Sequence, residues 1–261
     1  MNSDCLSLLT QIATWITVLL VFLTLIEMTK QRKATYKPDI VISNHTIYAY
    51  ISKLGFPDIW LDKRIDEENG LETFEDQLSF QIPIHNLGLG PARDIEFRWE
   101  YDSNTFIKMV DQLKSYSPVE FNLLITEPNM LHFEIPDIYQ SYINLEAELV
   151  SNKLFVLPYS MESVSDKISL PPSYMRLVSI YSLCEIFRSL SNQSRFPHLQ
   201  IPQIELFVKY NDIGGSSYSK TFKFNLLLGE VRFYKQSGDK LEFKDYSMGN
   251  FVFFAYLNKV H

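Results

Sequence analysis

The chain has 261 residues, 46% hydrophobic and 14% aromatic, with 24 Lys and Arg against 31 Asp and Glu for a net charge of −7. That aromatic and aliphatic content excludes a disordered chain, and the acidic balance argues against nucleic acid as a partner. The charge is uneven: residues 1–37 hold four bases against Asp4 and Glu27, or +2, which leaves −9 for the rest.

Residues 6–28 form an apolar run without Pro or Gly, long enough at about 1.5 Å per helical residue to cross the roughly 30 Å core of a bilayer. Asp4 precedes the run and no small-residue cleavage site follows it, so a cleaved secretory signal is not expected. Lys30, Arg32, Lys33 and Lys37 crowd the C-terminal side. By the positive-inside rule the body of the chain then lies in the cytoplasm and the short N-terminal tail outside, as in a single-pass inner-membrane protein. Those four bases are the expected contacts with membrane lipid, while the acidic body is expected to stand off the anionic leaflet. Thr10, Thr14, Thr17 and Thr24 share a narrow arc of the helix. Such a stripe either bonds its own backbone one turn back or lets copies of the helix approach closely and form a homo-oligomer. Cys5 and Cys184 fall on opposite sides of the membrane in this topology, so no disulfide is expected, and no Cys/His cluster marks a zinc site.

The domain reading is a tail and transmembrane helix over residues 1–29, a basic juxtamembrane linker over 30–37, and one β domain over 38–261. Pro38 opens the domain with an extended run at 39–43. Residues 48–70 read as a long, irregular, exposed insertion. Phe80, Ile82 and Ile84 then alternate with polar residues at the period of a half-buried strand, with Pro83 pointing to an edge or a bulge. After a glycine-rich turn, Ile95, Phe97, Trp99 and Tyr101 alternate with Asp94, Glu96, Arg98 and Glu100, which predicts an antiparallel strand with one wet face.

The period changes at 104–115, where Asn104 is a candidate N-cap and Phe106, Met109, Val110 and Leu113 form a helical stripe. Strands are expected at 118–126, 130–135 and 142–150. Pro171 and Pro172 precede a second, amphipathic helix near 173–190 that Ser173 is placed to cap. Leu206, Val208 and Tyr210 lead through Asn211-Asp-Ile-Gly-Gly215 to Tyr218, Lys220, Phe222 and Phe224, a hairpin. A second hairpin is expected from 231–235 through Ser237-Gly238 to 241–244, with a closing strand at 251–256.

Gly88-x-Gly90 lacks the third glycine of a dinucleotide fingerprint, and a strand follows where a helix should begin, so a strand turn is the better reading. Asn86, Gly88, Gly90 and Ala92 resemble the Asn-x-Gly-x-Gly-x-Ala turn of immunoglobulin-like bacterial sandwich domains of the cell-adhesion-related, CARDB-like, type. The resemblance implies a sandwich fold and nothing about activity. It departs from that pattern in its helical insertions and its cytoplasmic placement.

Asp212, Gly214 and Gly215 match no calcium loop, and the acidic runs at 66–68 and 72–76 read as solvated loop faces. His45, His85, His132, His198 and His261 are scattered singly, and no serine-nucleophile or metallohydrolase motif is present. No catalytic, cofactor or metal residue is therefore assigned. Phe56 and Trp60 are the candidate partner contacts, because the insertion around them offers no strand period to bury them.

The expected fold class is mainly β: an antiparallel, immunoglobulin-like sandwich behind an N-terminal transmembrane helix, with two helical insertions. The expected function is a binding or sensing module, not an enzyme, that recruits a partner protein to the inner face of the membrane. The alternative is a membrane effector, of the kind found in bacterial antiviral defence, whose helix self-associates to disturb the bilayer.

Overall fold

The computed structural model describes residues 2–51, 57–61, 80–127, 129–147, 149–161, 166–192, 199–235 and 246–258. Strands account for 42% of the chain, which makes the protein mainly β, with antiparallel sheets behind an N-terminal apolar helix. That helix, α1 (Asn2–Thr35), runs through most of the polar connector before Tyr36 closes its last turn, donating its N–H to the Arg32 carbonyl at 2.9 Å. Within it, Gln11–Arg32 is long and apolar enough to cross a membrane, and none of it is buried by the rest of the chain.

Among the described residues three sheets follow. β1 (Ile40–Ile42), β4 (Gln81–Asn86) and β10 (Asp166–Ser169) form the first, with β4 in the middle. Pro83 thus lies in a central strand, not at an edge. It fits because β1 stops opposite Ile84, leaving Pro83 paired with Lys167 on the other flank alone, where a missing N–H disrupts no β1 ladder.

The second sheet has seven strands in the order β3-β2-β13-β12-β11-β5-β9. These are β2 (His45–Ile51), β3 (Pro57–Leu61), β5 (Ala92–Glu100), β9 (Val150–Val156), β11 (Ile204–Asn211), β12 (Ser217–Lys235) and β13 (Tyr246–Asn258). β5 follows its alternation: Ile95, Phe97 and Trp99 are buried and the charged residues between them are exposed. Each of these side chains contributes about 1.5–3 kcal/mol of apolar burial. The Trp99 indole also donates to the Ser169 carbonyl at 3.1 Å, tying this sheet to the first.

Two expectations about this sheet are corrected. Residues 48–51 and 57–61 are strand, not irregular insertion, because Ile47 and Ala49 supply a buried face and Ala49 sits between Trp60 and Phe251 in register. Residues 231–235 are not a separate hairpin arm but the end of the 19-residue strand β12, and they pair with the first half of β13, while 241–244 lie outside the described residues. β13 is accordingly interior to the sheet, between β12 and β2. Residues 62–79, with both acidic runs, and 236–245 lie outside the described residues.

The third sheet is β6 (Asn122–Thr126), β7 (Met130–Ile135) and β8 (Tyr139–Asn144). The strand expected at 142–150 is the end of β8 and the start of β9, separated by a turn at 145–147. Asn144 makes that turn by accepting from the Glu146 and Ala147 N–H groups, each at 3.0 Å.

Helix α2 (Ser103–Leu113) begins one residue earlier than its stripe suggested. Asp102, not Asn104, caps it by accepting from the Thr105 N–H at 2.9 Å. Helix α3 (Pro172–Ser191) starts from Pro171, and Ser173 lies inside it, where it accepts from the Tyr101 hydroxyl at 2.7 Å. It is not amphipathic in place: every residue at 173–186 is buried, including Arg176 and Glu185. Packing on several sides explains this. Phe106 of α2 meets Tyr174 and Tyr181, while the Arg176 guanidinium lies 5.0 Å from the Phe133 ring centre and 5.5 Å from that of Tyr139 in the third sheet. Glu185 pairs with Arg188 at 2.7 Å.

Candidate functional site

The most constrained polar arrangement lies where the chain leaves α1 and enters the β domain. Asn86, at the end of β4, is 1% exposed, and its short amide is filled on both sides. Its Oδ1 accepts from the Asp39 N–H at 2.9 Å and the Gly88 N–H at 3.0 Å. Its Nδ2 donates to the Gly90 carbonyl at 2.8 Å and the Val156 carbonyl at 3.2 Å. A primary amide has two donors and two acceptor positions, and all four are used here. One side chain therefore joins the linker, the glycine turn and β9.

The glycines of this turn answer to the linker. A methyl group on Gly88 would run into the Lys37 carbonyl and the Asp39 nitrogen, and one on Gly90 into the Tyr36 carbonyl. Glycine lets the two backbones touch, and the Leu87 N–H donates to the Asp39 carbonyl at 2.8 Å across the same contact.

β12 holds the linker from another side. The Lys220 ammonium donates to the Ile40 carbonyl at 2.8 Å and to the Asp39 carboxylate, a half-exposed ion pair worth about 0–1 kcal/mol. The Lys37 ammonium lies 4.9 Å from the centre of the Tyr218 ring. Tyr218 in turn donates its hydroxyl to Asp212 at 3.0 Å, and Asp212 also accepts from the Ser216 N–H at 2.8 Å. Burial pushes the Asp212 carboxyl up, but these hydrogen bonds outweigh it and hold the group below its ordinary 3.8. Burial and the bond to Asp212 push the Tyr218 phenol up. The acidic turn is thus a closed hairpin, with Gly215 at φ 79°.

The residues singled out from the sequence are dispersed. Thr10, Thr14, Thr17 and Thr24 all lie on α1, and the hydroxyls of Thr17 and Thr24 donate to the Ala13 and Leu20 carbonyls at 2.8 Å. Lys30, Arg32 and Lys33 lie in the last turns of α1, Lys30 and Arg32 exposed, while Lys37 belongs to the linker joint. Phe56 lies outside the described residues. Trp60 sits in β3, at one edge of the seven-stranded sheet, in register with Ala49. That strand placement corrects the reading of Trp60 as lying without a strand period.

Among the described residues no group of three or more His, Cys, Asp or Glu is placed to hold a metal ion. His132 stacks on Tyr142 with ring centres 4.5 Å apart, and Gln140 bridges the two. Asn86, Tyr218 and Lys220 carry the joint, and local sequence pattern marks none of them for it. The glycine turn was the visible part of the signal; its partner, the linker, lies about 50 residues earlier in the chain, beyond the reach of any turn rule. No family model, no curated protein and no solved structure matches the chain.

Proposed function

We propose that the protein is a single-pass inner-membrane anchor carrying an immunoglobulin-like β-sandwich in the cytoplasm, where the sandwich binds a partner protein. The apolar helix and the bases Lys30, Arg32 and Lys33 at its C-terminal end support the orientation. The layered antiparallel sheets and the Asn86 to Ala92 turn support the sandwich. The fastened linker supports presentation: a domain held by Asn86 leaves the membrane in one orientation instead of swinging on a tether.

The observation that carries binding is the edge strand β9. Among the described residues it pairs with β5 on one side only, and Leu154 on it is 79% exposed. An edge with unpaired N–H and C=O groups and an exposed apolar side chain suits an incoming strand of another protein. Phe155 beside it is also exposed. The second candidate edge is β3 with Trp60.

Photo-crosslinking from position 154 of the full chain in its native membrane, with position 111 on α2 as the control, tests this. Trapping of one protein at 154 and not at 111, lost when Phe155→Lys is added to the chain with the probe at 154, is the expected result. Equal trapping at both positions, or none at 154, overturns binding at this edge.

A further inference from the structure

We infer that the end of the β domain nearest α1 is itself a lipid-contacting surface, formed by three loops that seat in the membrane interface around the helix exit. This rests on the proposed reading that α1 crosses the membrane. The first loop is the glycine turn at 87–91, packed on Tyr36 and Lys37, with Leu87 and Leu89 pointing outward. The second is the segment at 157–161, fixed to the same place because Tyr159 donates its N–H to the Asn86 carbonyl at 2.8 Å; it carries Tyr159 and Met161.

The third is the hairpin turn at 212–216. Going back along the linker from Ile40 to Lys37 follows β12 from Lys220 to Tyr218, so the turn beyond Tyr218, which carries the exposed Ile213, lies toward the Lys37 end of the linker, the end that joins α1. Each of these five side chains, and Tyr36 at the helix end, is more than half exposed.

Scattered exposed apolar residues are ordinary, but three separate loops bearing them around one point are not. The occupant follows from what stands at that point. Arg32 ends the membrane-spanning stretch, and Tyr36 is four residues on, about 6 Å at the helical rise. The headgroup layer on each side of the bilayer is about 5–7 Å thick. With Arg32 itself among the headgroups, the turn seated on Tyr36 therefore lies at the outer part of the headgroup layer, where tyrosine is favoured and where a partner protein would have to displace lipid.

Charge agrees with this placement despite the net −9 beyond residue 37. At this end Asp39 is paired with Lys220, and the ionised Asp212 and Asp94 are offset by the cations Lys37, beside Tyr218, and Arg93, opposite Asn211. The acidic body stands away from the leaflet while this one end touches it.

The test uses the full chain in nanodiscs of phosphatidylcholine and phosphatidylglycerol. In a Cys5→Ser background, Leu89→Cys, Ile213→Cys and, as the distant control, Asp111→Cys each carry an environment-sensitive fluorophore. The probes at 89 and 213 are expected to be blue-shifted and quenched several-fold more than the probe at 111 by a nitroxide on the upper acyl chain. Equal quenching at all three positions, with the chain still floating with liposomes after an alkaline wash, overturns the seating and leaves the anchor standing. Failure to float overturns the seating and the anchor together.

Discussion

Replacing Asn86 with alanine should loosen the joint between the anchor and the β domain more than any other single truncation there. The substitution deletes four hydrogen bonds, to Asp39, Gly88, Gly90 and Val156. Each is worth about 0.5–1.5 kcal/mol net, with a further cost where a buried partner is left unsatisfied, so the loss should be about 3–5 kcal/mol. For a domain of this size that lowers Tm by about 10 °C.

Thermal unfolding of the full chain in detergent, followed by far-UV circular dichroism, reads the stability. Chymotryptic cleavage after Tyr36 reads the joint, because in the wild type the Tyr36 N–H is bonded to the Arg32 carbonyl and the Tyr36 carbonyl is packed against Gly90. Both should change together. Gly90→Ala, which pushes on the Tyr36 carbonyl without touching β4 or β5 pairing, should speed cleavage after Tyr36 with a smaller fall in Tm. An Asn86→Ala chain with the Tyr36–Lys37 bond still protected would refute the fastening role, since Asn86 would then be holding strands and not the linker.

Asp102→Ala removes the side chain that caps α2 and should cost about 1 kcal/mol, seen as a Tm lower by about 2–4 °C, whereas Asn104→Ala should leave Tm near wild type. The folded Asp212 carboxyl is held below 3.8, so its contribution to stability is fully present above about pH 4 and is lost as pH falls through the lowered value. Chemical denaturation at stepped pH should show that acid slope reduced in Asp212→Asn; an unchanged slope would place the acid sensitivity elsewhere. In the anchoring reading Thr14→Leu with Thr17→Leu leaves oligomer size unchanged, because Thr17 already spends its hydroxyl proton on the Ala13 carbonyl. A shift in size on crosslinked gels would favour the self-associating effector.

Features with a local cause were legible in the sequence. The alternation of β5 and the hairpin of β11 and β12 follow from side-chain periods that a strand imposes on its own residues. Features set by distant chain were not. Pro83 occupies a central strand only because β1 is one residue too short to meet it. Helix α3 carries Arg176, Glu185 and several serines, and nothing local indicates that α2 and the third sheet bury them. The missing third glycine and the alternation that follows marked the turn at 86–92 as strand-to-strand geometry. What the turn does, clasping residues 36–39, depended on a contact between segments far apart in sequence.

Orientation in the membrane is the claim on which the rest depends, and Cys5 and Cys184 make it measurable with a membrane-impermeant maleimide. Cys184 is buried, and burial pushes its thiol up to about 12, so it stays silent in the folded chain. In sealed right-side-out vesicles carrying the Asp111→Cys chain, Cys5 should label without detergent and position 111 only after detergent is added. Labelling of position 111 in the sealed vesicles, with Cys5 protected, would put the β domain outside; labelling of both would mean that the helix does not span.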